Sequence, residues 1–282
     1  MSGSFYTPFC KRMKECGTIV KPTDNIDLIA TQHEDISSAI HQEYLAAGAR
    51  LIKTPTLYAQ HISQAHFQTD HLIRDINTDA YRITRRAIGD SPDRGTRLVG
   101  VIGTTHLSIT RGNISPTTLH LSYSTQVETL LYEGVDVFLI DNVTDLRNGE
   151  EAVYAILEAF NRSGIKKPII LSAVTDERGK LPSGHMLHLT PVKEDISAWG
   201  IVCPSAQIAR MYGTIDRLHE AAPIAVALTP NATITTYGST YTTPPKAYAE
   251  ALIPYVANGF VDIIGGGEGT TPEYIREVAK LL

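Results

Sequence analysis

Apolar runs of strand length recur along the chain, and each is separated from the next by a longer segment. They carry Val, Ile and Leu at consecutive positions, which is typical of strands buried on both faces. The predicted strands cover residues 49–56, 97–103, 136–142, 167–175, 198–204, 223–231 and 261–267. Helical patterns lie between several of them, over residues 35–49, 116–134, 149–164 and 244–259.

This alternation predicts a parallel sheet with right-handed crossovers. Seven strands and one N-terminal segment of unclear pattern predict an α/β fold, a (β/α)8 TIM barrel, with an open doubly wound sheet as the alternative. The 282 residues suit one such barrel. Because no linker or shift in composition divides the chain, we expect a single domain over residues 1–282.

The first strand of this barrel is predicted to be atypical. Residues 9–20, "FCKRMKECGTIV", should supply it, yet they place Lys11, Arg12, Lys14 and Glu15 where a barrel interior needs apolar side chains. Burying each of these charges without a partner would cost several kcal/mol. We therefore expect this segment to be displaced, helical or part of a subunit contact.

Composition narrows the classes of function. Hydrophobic residues make up 43% of the chain, charged residues 20%, and the net charge is −5 with no basic block. This argues against a nucleic-acid partner. No apolar run reaches the roughly 18 residues that span a bilayer, and the N-terminus lacks a secretory signal core, so we expect no membrane partner and a cytoplasmic protein. The three cysteines are expected to be thiols.

Candidate chemistry lies where the strands end, since barrel enzymes carry their active sites at the carboxyl ends of the strands. These ends hold residues 53–56, 103–106, Asp141, Cys203, residues 230–231 and the turn 265–268. In that last turn three glycines let a ligand approach the backbone, or serve only the tight turn. Glu268 follows them as a candidate for chemistry, or as a charge that favours the next helix N-terminus.

Five motifs, in a fixed order, resemble the homocysteine S-methyltransferase family, which includes the homocysteine-binding module of cobalamin-dependent methionine synthase. They are "LIDNVTDLRNGEEA", "ILSAVTDERGKLPSG", "WGIVC", "LTPNA" and "IIGGGEGTTPEYI". Upstream, "HQEYLAAGARLIKTPT" and "VGVIGTT" are similar to the family's strands two and three. The resemblance extends from about Cys16 to Leu282 and implies the barrel fold.

The resemblance also implies a zinc site with three cysteine ligands. One cysteine ends strand six and an adjacent pair lies in a Gly-Gly-Cys-Cys-Gly turn after strand eight, so that the metal activates a substrate thiol. This chain has Cys203 at the first position, but Gly267 and Glu268 at the pair. We therefore expect no bound metal and no other cofactor, with His106 and His185 as the loop residues that would have to replace the lost ligands.

Other departures concern the substrate site that the resemblance implies. The family's first glycine turn survives only as Gly17 and Thr18, its strand-two glutamate is Lys53, and its ammonium-binding glutamate is Asp141. By resemblance we predict two catalytic residues and five substrate-binding residues. The former are Cys203 and Glu268, and the latter are Asp141, Gly17, Thr18, Gly266 and Gly267. The alternative for Cys203 is a small buried hydrophobic side chain.

The sequence thus predicts a homocysteine S-methyltransferase-like protein that has diverged or lacks zinc-dependent thiol methylation. Its expected ligand is a small amino acid or thiol, and a separate methyl-donor or cobalamin- or folate-carrying protein would serve it; an oligomer is compatible with the sequence. The alternative is a non-catalytic barrel that binds a small amino acid or a partner protein. Phosphate binding at the glycine turn ranks last because Glu268 would repel it.

Overall fold

A computed structural model of the chain describes residues 1–89, 95–236 and 238–282. Seven parallel strands form one curled sheet in the order β1-β2-β3-β4-β5-β6-β9. The strands are β1 (Leu51–Lys53), β2 (Arg97–Gly103), β3 (Val137–Val143), β4 (Ile169–Val174), β5 (Ala198–Val202), β6 (Ala225–Leu228) and β9 (Ile263–Ile264). A separate antiparallel hairpin of β7 (Thr233–Thr236) and β8 (Ser239–Thr242) follows β6.

Helices follow most of the strands. They are α1 (Tyr6–Glu15), α2 (Ile26–Gln32), α3 (Glu34–Ala46), α4 (His61–His66), α5 (Ile73–Ile88), α6 (Pro116–Glu133), α7 (Leu146–Ser163), α8 (Tyr212–Ala221), α9 (Pro245–Ala257) and α10 (Pro272–Ala279). Helix α6 shows how the sequence sets the limits: the Ser115 hydroxyl caps its first turn, and Gly134, with φ of 96°, ends it. Among the described residues no helix is both long enough and apolar enough to cross a membrane.

The sheet separates two apolar layers, because successive side chains of a strand point to opposite faces. Val99, Leu139 and Ile170 belong to the layer inside the curled sheet. Their sequence neighbours, including Leu98 and Ile140, pack outward against the helices. The predicted TIM-barrel fold is therefore confirmed. The strands follow one another around the sheet without the reversal of order that a doubly wound sheet requires.

Residues 1–4 close the sheet between its two edge strands, β9 and β1. The Met1 nitrogen donates to the Ile264 carbonyl at 2.6 Å, and the Ser2 nitrogen donates to the Leu51 carbonyl at 2.7 Å. The Ser4 nitrogen then donates to Thr270 Oγ1 at 2.9 Å. We call this contact the seam.

The charged segment behind the seam forms helix α1, which confirms that the predicted first strand is abnormal. Phe9 and Met13 are buried against α3 and α10, whereas Lys11 and Lys14 are exposed. Arg12 pairs with Glu43 of α3. The charges thus stay out of the barrel interior, as their desolvation cost requires.

Candidate functional site

A cavity of about 1290 Å³ opens at the carboxyl ends of the strands. Its floor is formed by side chains that lie near the carboxyl ends of the strands and point into the barrel. They belong to Lys53 of β1, Val101 of β2, Asp141 of β3, Val202 of β5 and Thr229 after β6. Residues 20–25, between α1 and α2, contribute to the wall together with Ile26 and residues 4–7. The cavity therefore lies where a barrel enzyme binds its substrate.

Four of the seven residues predicted for the site line this cavity: Asp141, Gly266, Gly267 and Glu268. Gly17 and Thr18 do not. They follow the end of α1, where both are exposed, because the segment that should have formed strand one is a helix. The structure gives no support to a substrate contact by these two residues.

Cys203 also lies outside the cavity wall. It directly follows β5, whose inward-facing residues are Ala198 and Val202, so its side chain points the opposite way, into the outer core. It is fully buried there, and burial raises the pKa of the Cys203 thiol to about 12. A thiol in this position is a neutral apolar side chain at neutral pH. Of the predicted site residues Asp141, Cys203 and Glu268, Cys203 therefore does not face the cavity.

Cys203 and Glu268 nevertheless lie at the same end of the barrel, where Asn231 connects their loops. The Asn231 nitrogen donates to the Cys203 carbonyl at 2.8 Å, and Asn231 Oδ1 accepts from the Glu268 nitrogen at 2.8 Å. The Asn231 side chain also fills the space beside Gly267. A Cβ at position 267 would lie 2.1 Å from Asn231 Oδ1 and 2.9 Å from the Thr229 carbonyl. Gly267 is thus required by its neighbours, which the sequence alone did not reveal.

The strongest electrostatic feature of the cavity is a pair of opposite charges, Lys53 and Asp141. Lys53 Nζ lies 3.8 Å from Asp141 Oδ2 and donates to the Gly266 carbonyl at 3.3 Å. Both side chains are only about a tenth exposed. Burial lowers the pKa of Lys53, while the nearby Asp141 carboxylate opposes that shift. Lys53 appears in the sequence only as a departure from the family pattern, so its part in the site was missed.

A local irregularity of β3 fixes the Asp141 carboxylate. The β3–β4 register shifts between Ile140 and Val143, and Asn142 adopts a left-handed conformation with φ of 57°. Asparagine tolerates this conformation better than most residues. It turns the Asn142 N–H toward Asp141 Oδ1 at 2.9 Å and leaves Oδ2 nearest to Lys53. Bulges of this kind are frequent beside active sites because they redirect a side chain.

A second buried carboxyl lies behind the cavity wall. Asp27 is fully buried at the start of α2, where Oδ1 accepts from the Tyr6 hydroxyl at 2.5 Å and Oδ2 from the Tyr58 nitrogen at 2.7 Å. Burial raises the pKa of Asp27 to about 7, although both hydrogen bonds act in the opposite direction. Tyr6 and Tyr58 line the cavity, so this carboxyl holds two of its walls in place.

The chain belongs to the homocysteine S-methyltransferase family, whose sequence profile matches residues 3–282. Three structures of the homocysteine methyltransferase MmuM from Escherichia coli are similar to it. The metallated form has a TM-score of 0.74 at 19% identity, covering 99% of this chain and 95% of that chain. The oxidized form has a TM-score of 0.72 at 17% identity, covering 96% of this chain and 92% of that chain. The apo form has a TM-score of 0.70 at 17% identity, covering 100% of this chain and 94% of that chain. At these identities the likeness concerns the fold.

The residues at the glycine turn do not fit a zinc ion. Position 267 offers no donor atom, and the side chain of Asn231 takes the space where a Cβ would stand. The Cys203 thiol is buried on the other side of its strand. Across residues 1–89, 95–236 and 238–282, no three His, Cys, Asp or Glu side chains are grouped closely enough to hold a metal ion. His106 lines the cavity, whereas His185 lies beside Ser183 in another loop.

Proposed function

We propose that this chain is a divergent member of its family that binds a small amino-acid or thiol ligand in the cavity and does not catalyse zinc-dependent thiol methylation. The observation that carries the proposal is the contact between Asn231 and Gly267, because it fills the place of a metal ligand with an amide side chain. Asp141 remains at the cavity floor as the carboxylate that would bind a ligand's ammonium group.

Glu268, the residue predicted to act as a base, is a weak base for a thiol. Glu268 is exposed at the cavity wall, and carboxylates as a class are much weaker bases than thiolates, so they accept a thiol proton poorly. A free thiol with an ordinary pKa of about 8.5 is only a few per cent thiolate at neutral pH. A bound thiol would therefore stay largely protonated and react slowly with a methyl donor.

Metal analysis tests this proposal. We expect protein purified from zinc-supplemented medium to contain well below one zinc per chain by mass spectrometry, with the same content in Cys203→Ala. We also expect the affinity for homocysteine, measured by calorimetry, to be unchanged by a chelator. Nearly one zinc per wild-type chain, lost in Cys203→Ala, would overturn the proposal, as would homocysteine binding that a chelator abolishes.

A further inference from the structure

The Lys53 side chain lies in the cavity, largely buried, and not on the outer surface where most lysines are solvated. It is the last residue of β1, its side chain is about one tenth exposed, and it lines the cavity at the carboxyl end of the barrel. An ammonium group carries three donors. Among the described residues, one oxygen, the Gly266 carbonyl at 3.3 Å, lies within hydrogen-bond distance of Nζ. Burial of the side chain favours the neutral amine over the ammonium.

The pairing with Asp141 is looser than a structural ion pair needs. Charge-assisted hydrogen bonds between an ammonium and a carboxylate are about 2.7–2.9 Å long, whereas Lys53 Nζ and Asp141 Oδ2 are 3.8 Å apart. Both groups border the open cavity instead of the packed core. The gap leaves the nitrogen accessible and keeps a proton acceptor close to it.

We propose that Lys53 is a nucleophilic amine that captures the carbonyl carbon of a small aldehyde or ketone as an imine, with Asp141 handling the proton. This goes beyond the ligand binding proposed above and needs no metal. Lysine residues whose side chains are partly desolvated are a recurrent source of such nucleophiles.

The chemistry balances without an oxidant or reductant. The Nζ lone pair forms a bond to the carbonyl carbon, and the π electrons of the C=O bond move to oxygen. Asp141, which received a proton from the Lys53 ammonium when the amine was released, gives that proton to the oxygen and takes one from the nitrogen, which yields the carbinolamine. It then gives this second proton to the hydroxyl, so that water leaves and an iminium ion remains beside the Asp141 carboxylate. The net change is ammonium plus carbonyl to iminium plus water.

Reductive trapping tests the proposal in the wild-type chain. The intact protein, in chelator, is incubated with acetaldehyde or dihydroxyacetone and cyanoborohydride, and the modified lysines are quantified by peptide mass spectrometry. We expect Lys53 to be labelled at least tenfold faster than the exposed Lys246 and Lys280 of the same molecule. Labelling of Lys53 no faster than these two would overturn the proposal, whatever the metal content.

The variant Asp141→Asn separates proton transfer from a simple electrostatic effect. Removing the carboxylate with Asp141→Asn favours the neutral amine, so a purely electrostatic role predicts faster labelling of Lys53. Proton handling by Asp141 predicts slower labelling, and this is the result we expect; faster labelling would overturn the role of Asp141. Lys53→Arg should abolish the fast site, while Lys246→Arg serves as the matched control and leaves it unchanged. Circular dichroism of each variant confirms that it is folded.

Discussion

Gly267→Cys, which introduces the cysteine that the family resemblance implies at this position, is expected to destabilise the protein by about 3 kcal/mol, since overpacking typically costs about 1–3 kcal/mol and one of the contacts here is severe. The new Cβ would lie 2.1 Å from Asn231 Oδ1, 2.9 Å from the Thr229 carbonyl and 3.1 Å from the Pro230 carbonyl. The side chain can move, but the two carbonyls belong to the backbone after β6. Urea denaturation of the variant and the wild type measures the loss.

The neighbouring position provides the control. Glu268 is exposed, so Glu268→Cys should change the free energy of unfolding by less than about 0.5 kcal/mol. Asn231→Ala combined with Gly267→Cys should recover part of the loss, because it removes the shortest contact, and the double-mutant cycle gives the coupling between the two positions. Equal effects at positions 267 and 268 would contradict the steric argument.

The contact between Asn231 and Gly267 also determines whether cysteines introduced at positions 267 and 268 could bind zinc. A cysteine at position 267 would clash with the Asn231 side chain, which occupies the space that its Cβ needs. Asn231 Oδ1 also accepts a hydrogen bond from the Glu268 nitrogen. Restoring the pair therefore requires a change at position 231 as well. We expect Gly267→Cys with Glu268→Cys to take up no zinc while Asn231 is present.

Asp27→Asn is expected to change how the free energy of unfolding depends on pH. The difference in this free energy between variant and wild type should shift by about 4 kcal/mol from pH 4 to pH 8. The ordinary pKa of the carboxyl is 3.8 and the folded protein raises it to about 7. Between these values the unfolded chain has lost the proton that the folded chain keeps, so this group favours folding less and less as the pH rises. Each pH unit in that window changes the free energy by about 1.4 kcal/mol.

A buried histidine acts in the opposite direction, which is why the comparison of variants is needed. Burial lowers the pKa of His41 from 6.5 to about 3. Between these values the unfolded chain binds a proton that the folded chain rejects, so stability rises with pH. In the wild type the two slopes largely cancel from about pH 4 to pH 6.5. Without the Asp27 carboxyl, the free energy of unfolding should rise with pH over this range, because the contribution of His41 is no longer cancelled.

Urea titrations at several pH values measure the difference in unfolding free energy between the two proteins. Asparagine keeps an acceptor for the Tyr58 nitrogen, and its amide can donate to the Tyr6 oxygen, so the local packing is conserved. Relative to the wild type, Asp27→Asn should be about 4 kcal/mol more stable at pH 8 than at pH 4. If the free energies of unfolding of the two proteins changed with pH in parallel from pH 4 to pH 8, Asp27 would not retain its proton in the folded protein.

The sequence predicted the sheet well where its strands are long and apolar. Strand β2 covers the predicted residues 97–103, and β3 is shifted by one residue from 136–142. The pattern failed at β9, where only Ile263–Ile264 of residues 261–267 pair as a strand, because glycines and the turn follow at once. The exposed hairpin β7–β8 was missed, since it buries no regular apolar face.

The candidate site was harder to predict because its contacts join distant parts of the chain. Alternation along β5 would have placed Val202 inside the barrel and Cys203 outside, but the family resemblance favoured the opposite assignment for the cysteine. The seam, as described above, uses backbone groups and one threonine hydroxyl, which leave no pattern in the sequence. The approach of Lys53 to Asp141 follows from the curvature of the sheet, not from any local signal.

The seam also sets an order of events during synthesis of the protein. It joins Met1 to Ile264, which are 263 positions apart. At about 5–20 residues per second, the first residues wait for on the order of tens of seconds before their partner leaves the ribosome. During that interval the apolar face of α1, with Phe9 and Met13, and the open edge of β1 have no final cover. Closure of the seam therefore follows the synthesis of Ile264, and slower translation prolongs the exposure of the open β1 edge, a kind of surface that is prone to aggregation.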